Sequence, residues 1–227
     1  MNNRHLLLLR HGETDANAAG IIQGQSHVPL NDTGIEQARR LARRLATYQP
    51  RIELIVSSDL RRAMQTAELI ARKTEMPVVA DPAWRERGLG IMEGRPFAEL
   101  LNWRTETGQD TPPQGETRHD MEARVERAAR GIFDRFPESS TIAVVTHGGT
   151  IQIVMNAIAN GKFALSAGQK PVELCDVLNC SILHLEVSAD RRWSARCMND
   201  AAHLSDMPPP RGRPNPDAPP LSRSSQV

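Results

Sequence analysis

Four consecutive leucines, Leu6 to Leu9, lead directly into Arg10, His11 and Gly12. A short apolar run of this kind is typical of a β-strand that is buried on both faces. Such a strand needs a covering layer on each side, which restricts the fold to a sheet lying between helices. The run is also far too short for a signal-peptide core or a membrane span.

The rest of the chain alternates between helical and strand patterns. Asn31 and Thr33 can each cap a helix, and Glu36 follows Thr33 at capping-box spacing. Further helices are predicted from Leu60, over 97–103, over 121–136 and over 151–158, and strands over 52–56, 76–80, 141–146, 182–187 and 193–197. This alternation predicts an α/β fold with three layers, α/β/α, around a mostly parallel central sheet.

The length of the chain fits one domain, which we place at residues 1–206. Within it, residues 95–115 form a small covering insertion whose Arg95, Phe97, Leu100 and Trp103 would contact a ligand; packing of Phe97 and Trp103 onto the core is an equal alternative. Residues 207–227 hold seven of the 16 prolines and show no apolar periodicity, so we expect a disordered tail there.

Charge and cysteine content exclude several classes of protein. Lys and Arg number 28 against 27 Asp and Glu, so no basic field favours nucleic acid. The arginines at 39, 40, 43 and 44 suggest anion binding, but a solvated helix face is the favoured interpretation. Three cysteines without paired spacing make a disulfide framework improbable, and we expect a cytoplasmic protein without membrane contact.

Ionisable side chains follow three of the predicted strands. The first strand ends at Arg10 and His11, the second at Ser57–Ser58 ahead of Arg61 and Arg62, and the third at His147 with Gly148–Gly149. Ligands of open α/β sheets bind beyond the carboxyl ends of the strands, next to helix N-termini. Arginine suits a phosphate because its planar group donates two parallel hydrogen bonds. The pattern therefore predicts a pocket for a phosphate dianion.

The segments around these residues resemble the histidine phosphatase superfamily, which includes the cofactor-dependent phosphoglycerate mutases. The similarity begins at Leu9-Arg10-His11-Gly12-Glu13-Thr14 and continues, in order, through Ser58 to Ala67, Arg85-Glu86, Gly115-Glu116-Thr117 and Thr146-His147-Gly148-Gly149-Thr150. It extends from Leu6 to about Leu204. The resemblance implies a phosphoglycerate mutase-like fold.

The resemblance also implies roles for individual residues. His11 would be the nucleophile that forms a phosphohistidine, while Arg10, Arg62 and His147 would hold the transferring oxygens. Arg62 is preferred to Arg61 because the family arginine directly precedes the residue at Ala63. Supplementary phosphate contacts are expected from Asn17, Gln23, Gly24 and Gly148.

Glu86 matches the family's proton-transferring acid, although Glu13 and Glu93 lie near enough in sequence to be alternatives. No metal-ligand spacing and no nucleotide-binding loop is present, so we expect neither a metal nor another cofactor.

Three functions are compatible with these motifs. We favour a phosphatase acting on a small phosphorylated metabolite, because the interval between Glu86 and His147 is short for a mutase. A phosphoglycerate mutase is the alternative, and an inactive module that binds phosphorylated ligands is a third. The substrate stays open among sugar phosphates, phosphoglycerate derivatives and nucleoside phosphates such as α-ribazole phosphate, and a homodimer through an edge strand is a further expectation.

Overall fold

A computed structural model describes residues 3–165 and 176–207 of the chain. Its strands are β1 (Arg4–Arg10), β2 (Leu54–Ser57), β3 (Val78–Ala80), β4 (Thr141–Thr146), β5 (Ile182–Val187) and β6 (Trp193–Asp200). Its α-helices are α1 (Asp15–Ala19), α2 (Asp32–Ala46), α3 (Arg61–Thr74), α4 (Phe97–Thr107), α5 (Arg118–Arg135) and α6 (Gly148–Ala159). The predicted tail beyond residue 207 and Cys175 lie outside the described residues.

The strands form one mixed sheet in the order β3-β2-β4-β1-β5-β6. The neighbours β3, β2, β4 and β1 are parallel, whereas β5 runs antiparallel to both β1 and β6. Parallel strands end at one edge of the sheet, so the chain leaves β1, β2 and β4 at the same side of the molecule. The predicted α/β class with a mostly parallel sheet is confirmed.

The leucine run supplies both faces of the sheet. Leu6 and Leu8 pack into a cluster with α5 and α6, while Leu7 and Leu9 pack into a second cluster with α2 and α3. All four are completely buried. Alternate residues of a strand point to opposite faces, so this single run is the centre of a three-layer structure.

Several local predictions differ from the structure in detail. The Asn31 side chain caps α2 by accepting a hydrogen bond from Gly34 N at 2.8 Å, whereas Thr33 lies inside the helix and Glu36 pairs with Arg40 and Arg43. The helix predicted from Ile151 begins three residues earlier, at Gly148. Helix α1 was not predicted, since its five residues are too few to show a periodicity.

The covering segment forms a small cluster of its own. Leu100 of α4 is completely buried with Ile22, Leu89 and Met92, and Phe97 and Trp103 pack against them. None of the helices in the described ranges is both long and apolar enough to cross a membrane.

Candidate active site

A cleft lies at the edge of the sheet where β1, β2 and β4 end. It encloses about 850 Å³, counting the part open to solvent. Eight of the nine predicted site residues line it: Arg10, His11, Asn17, Gln23, Gly24, Arg62, Glu86 and Gly148. The ninth, His147, is completely buried beside it, with its ring centroid 5.2 Å from that of His11. The structure thus brings together residues from five separate stretches of the chain.

The imidazole of His11 is held in one tautomer. Its Nδ1 lies 2.6 Å from the carbonyl oxygen of Gly12. A carbonyl can only accept, so Nδ1 carries the hydrogen and Nε2 keeps a lone pair. Burial, with the positive charges of Arg62 and Arg10, holds the pKa of His11 well below 6.5. The ring is therefore neutral at physiological pH, the state that a nitrogen nucleophile requires.

His147 is oriented by Ser58. Its Nε2 lies 2.8 Å from Ser58 Oγ, which also accepts from Leu60 N at 3.3 Å. The serine hydroxyl can then donate to Nε2, which leaves the hydrogen of a neutral ring on Nδ1. Burial, then Arg62 and His11, holds the pKa of His147 well below 6.5. Nδ1 is buried and has no partner among the described residues, so it remains available to donate to a ligand oxygen.

Two buried arginines supply the positive charge of the cleft. Arg62 donates to the carbonyl oxygens of Gly24 and Ser26 at 2.8 and 2.9 Å, and Arg10 donates to that of Val177. Burial lowers the pKa of Arg62 to about 10, which leaves it charged at neutral pH. The carbonyls fix both guanidinium groups without neutralising them, and neither Nε is paired with any part of the chain that the structure describes. Arg61 is exposed, so the choice of Arg62 agrees with the structure.

Glu86 is anchored at the start of α6. Its two carboxylate oxygens accept from Gly149 N at 3.0 Å and from Arg87 N at 2.9 Å. A Cβ on Gly149 would lie 2.4 Å from Glu86 Oε1, so glycine is required for this approach. The alternative carboxylates bind elsewhere: Glu13 accepts from Asn31, and Glu93 accepts from the amides of Gln25 and Leu89. Of the three, Glu86 alone lines the cleft.

The remaining predicted residues form one wall. Asn17 Oδ1 accepts from Thr14 N and Thr14 Oγ1, and the same hydroxyl lies 3.0 Å from Gln23 Oε1. Gly24 has a left-handed backbone, with φ of 50°, and its carbonyl oxygen holds Arg62.

Several residues that shape the site were missed by sequence analysis. Ser58 orients His147, Gly149 binds Glu86, and the buried Asn179 donates to the His11 carbonyl oxygen at 2.9 Å. Ser58 and Gly149 lie within the motifs that resemble the family, so the sequence could have indicated a role for them. Asn179 lay outside every motif, because only the tertiary fold brings it to His11.

Of the residues predicted in the covering segment, only Phe97 lines the cleft. Leu100 and Trp103 belong to the small apolar cluster, and Arg95 is exposed and donates to Ile91 O. Asp59 pairs with Arg85 through both carboxylate oxygens at 2.6 and 2.5 Å.

Comparison with known proteins identifies the family. Residues 6–201 match the model of the histidine phosphatase superfamily, branch 1. The chain belongs to the histidine phosphatase superfamily.

Named relatives of this histidine phosphatase chain fall into two groups. "Probable phosphoglycerate mutase GpmB" of Proteus mirabilis is 34% identical, with 88% of this chain and 94% of that protein covered. The structure of mycobacterial glucosyl-3-phosphoglycerate phosphatase is 32% identical with a TM-score of 0.71, covering 86% and 99%. A putative alpha-ribazole-5'-P phosphatase from Escherichia coli K-12 is 27% identical with a TM-score of 0.70, covering 88% and 98%. Similarity to these proteins does not separate phosphatase from mutase.

Proposed function

We propose that this chain is a metal-independent phosphatase that hydrolyses a small phosphate monoester through a phosphohistidine on His11. The observation that carries the proposal is the neutral His11 ring, fixed by Gly12 so that Nε2 keeps its lone pair, in a cleft that also holds Arg10, Arg62 and Glu86. These groups supply a nucleophile, charge stabilisation and a proton carrier for phosphoryl transfer.

The reaction proceeds in two displacements. Nε2 of His11 attacks phosphorus while protonated Glu86 gives its proton to the leaving alcohol oxygen, so the ester bond breaks as the phosphorus–nitrogen bond forms. Arg10, Arg62 and the Nδ1 hydrogen of His147 bind the three non-bridging oxygens. The Glu86 carboxylate then takes a proton from a water molecule, which attacks phosphorus and returns His11 to its neutral form.

Release of inorganic phosphate from phenyl phosphate, measured in EDTA, tests the enzyme. We expect turnover by the wild type, and loss of nearly all of it in His11→Ala. The exposed His27 provides a matched control, since His27→Ala removes an imidazole outside the cleft. The phosphoryl group of labelled phenyl phosphate should remain on wild-type protein denatured in alkaline detergent, because phosphohistidine is stable to alkali and labile to acid, and should not be found on His11→Ala. Binding without release would favour the inactive module.

The mutase is the second candidate, because the named relatives include a probable phosphoglycerate mutase. A mutase returns the phosphoryl group to its substrate instead of to water. Incubation with 3-phosphoglycerate distinguishes the two. Faster formation of 2-phosphoglycerate than of inorganic phosphate would replace the phosphatase proposal with the mutase.

A further inference from the structure

A buried amide in the cleft has no partner among the residues that the structure describes. Gln152 of α6 is 2% exposed, and within residues 3–165 and 176–207 neither its Oε1 nor its Nε2 has a hydrogen bond. Its neighbours Ile151, Ile153 and Val154 are buried apolar residues, so the glutamine interrupts a run of buried apolar side chains. Buried polar groups are nearly always hydrogen-bonded, and an unpaired one in a ligand cleft indicates a contact completed by the ligand.

Gln152 lies along α6 from the phosphate-binding groups. It follows Gly148 by four residues on the same helix, and both line the cleft. Residues four apart share a helix face and are separated by about 6 Å along the axis. The amide therefore lies about one helical turn from the phosphate end, at the distance of the alcohol portion of a bound ester.

The lining of the cleft also has an apolar part. It comes from Ile21, Ile22, Leu89, Phe97 and Val177. The lining arginines Arg10 and Arg62 stand with the histidines at the phosphate end, and the guanidinium of Arg87 donates to Glu116 O and Asp110. Gln152 thus offers a neutral polar contact within a mainly apolar wall.

We propose that Gln152 determines specificity by binding a hydroxyl group on the alcohol portion of the substrate. The inference rests on the proposed phosphatase function and narrows it to phosphate esters of neutral, hydroxyl-bearing alcohols. A hydroxyl both donates and accepts, so it satisfies Oε1 and Nε2 with its own oxygen and a neighbouring one. A carboxylate accepts only, would leave Oε1 unpaired, and would share the cleft with Glu86.

Three esters with the same carbon skeleton length test the proposal: glycerol 3-phosphate, n-propyl phosphate and 3-phosphoglycerate. In the wild type, kcat/KM for glycerol 3-phosphate should exceed that for n-propyl phosphate by about 10-fold or more, the value of a hydrogen bond in a closed site. Gln152→Met keeps the length of the side chain and removes its polar atoms. We expect this variant to reduce the ratio to about one by lowering turnover of glycerol 3-phosphate alone.

Two further variants exclude a general packing effect. Asn156→Met removes an amide one turn further along α6, outside the cleft lining, and should leave the ratio unchanged. Gln152→Glu keeps an acceptor and should retain part of the preference for glycerol 3-phosphate while rejecting 3-phosphoglycerate. An unchanged ratio in Gln152→Met, or an equal loss for all three esters, would overturn the proposal. So would a wild-type preference for 3-phosphoglycerate.

Binding to the His11→Ala protein, measured by calorimetry, separates this inference from the proposed function. The affinity ratio of glycerol 3-phosphate to n-propyl phosphate should show the same dependence on Gln152 without turnover. Discrimination in binding by a wild type that releases no phosphate would support the role of Gln152 and contradict the phosphatase. Turnover of both esters without discrimination between them in binding would support the phosphatase and contradict the role of Gln152.

Discussion

At the scale of single residues, the site depends on imidazoles that burial keeps neutral. The pKa values of His11 and His147 both lie well below 6.5, chiefly because burial penalises the charged ring and secondly because arginines are near. Protonation of His11 would remove the lone pair on Nε2. The nucleophile is therefore lost only at a pH well below the ordinary titration range of histidine.

The first prediction concerns this acid limb. As pH falls from 7.5 to 5.5, kcat/KM for phenyl phosphate, corrected for ionisation of the ester, should show no loss attributable to a group that titrates near 6.5. The pH profile of kcat/KM reports the pKa values of the free enzyme, in which no ligand is bound beside these two histidines. An acid limb centred near pH 6.5 that remained after this correction would contradict the assignment of a neutral, buried nucleophile.

The site residues that directly follow a strand could be predicted from the sequence. Arg10, His11 and His147 follow buried strands directly, so their meeting at one edge follows from parallel topology. The choice of Glu86 over Glu13 and Glu93 came from the family resemblance, since three carboxylates near a loop have no distinguishing local pattern. The contact of Asn179 with His11 depends on the path of the chain just before β5. No local sequence pattern indicates that path.

At the scale of elements, the beginning of a helix was harder to predict than its existence. Asn31 and Thr33 are both good capping residues two positions apart. In the structure Asn31 caps the helix, and its Nδ2 also donates to Glu13 of a distant segment, a contact that no local pattern indicates. The second prediction follows. Asn31→Ala should lower the free energy of unfolding by about 1 kcal/mol or more, while Thr33→Ala should change it little. Urea denaturation of both variants measures this, and equal losses would contradict the observed cap.

The third prediction compares two glycines in helices. A Cβ on Gly149 would displace the Glu86 carboxylate, whereas a Cβ on Gly131 of α5 would meet no atom within 4 Å. Gly149→Ala should therefore lower kcat by about 10²-fold or more, the typical contribution of a positioned proton carrier, with little loss of stability. Gly131→Ala should raise stability by about 0.5–1 kcal/mol and leave kcat unchanged. Similar activity in both variants would show that Glu86 tolerates displacement.

At the scale of the whole molecule, the sequence predicted the class of the fold but not the order of its strands. Alternating strands and helices imply a covered, mostly parallel sheet, and the family model supports the same architecture. The antiparallel direction of β5 had no counterpart in the periodicity, because a buried strand has the same apolar pattern in either direction. Which strands pair with each other depends on packing between segments that are distant in the sequence. A single sequence does not show this packing.

The last prediction concerns the stability of the folded chain in acid. Burial lowers the pKa of both His184 and His203 to about 4, and His11 and His147 shift in the same direction. These groups titrate near 6.5 when the chain is unfolded. Between pH 6.5 and 4 the unfolded chain therefore binds protons that the folded chain does not, so stability falls as pH falls.

Each such histidine contributes up to about 1.4 kcal/mol per pH unit to the slope inside this window. His184 is 3% exposed and hydrogen-bonds His5 Nδ1 at 3.0 Å and Tyr48 Oη at 3.1 Å, so its replacement also lowers stability at pH 7. The informative quantity is thus the slope of the free energy of unfolding against pH, and not its value at one pH. His184→Gln should flatten the decline in the free energy of unfolding from pH 6.5 to 4.5 relative to wild type, whereas a change at the exposed His119, His119→Gln, should leave it unaltered. Parallel slopes in all three proteins, measured by urea titration at each pH, would mean that His184 is protonated as readily in the fold as outside it.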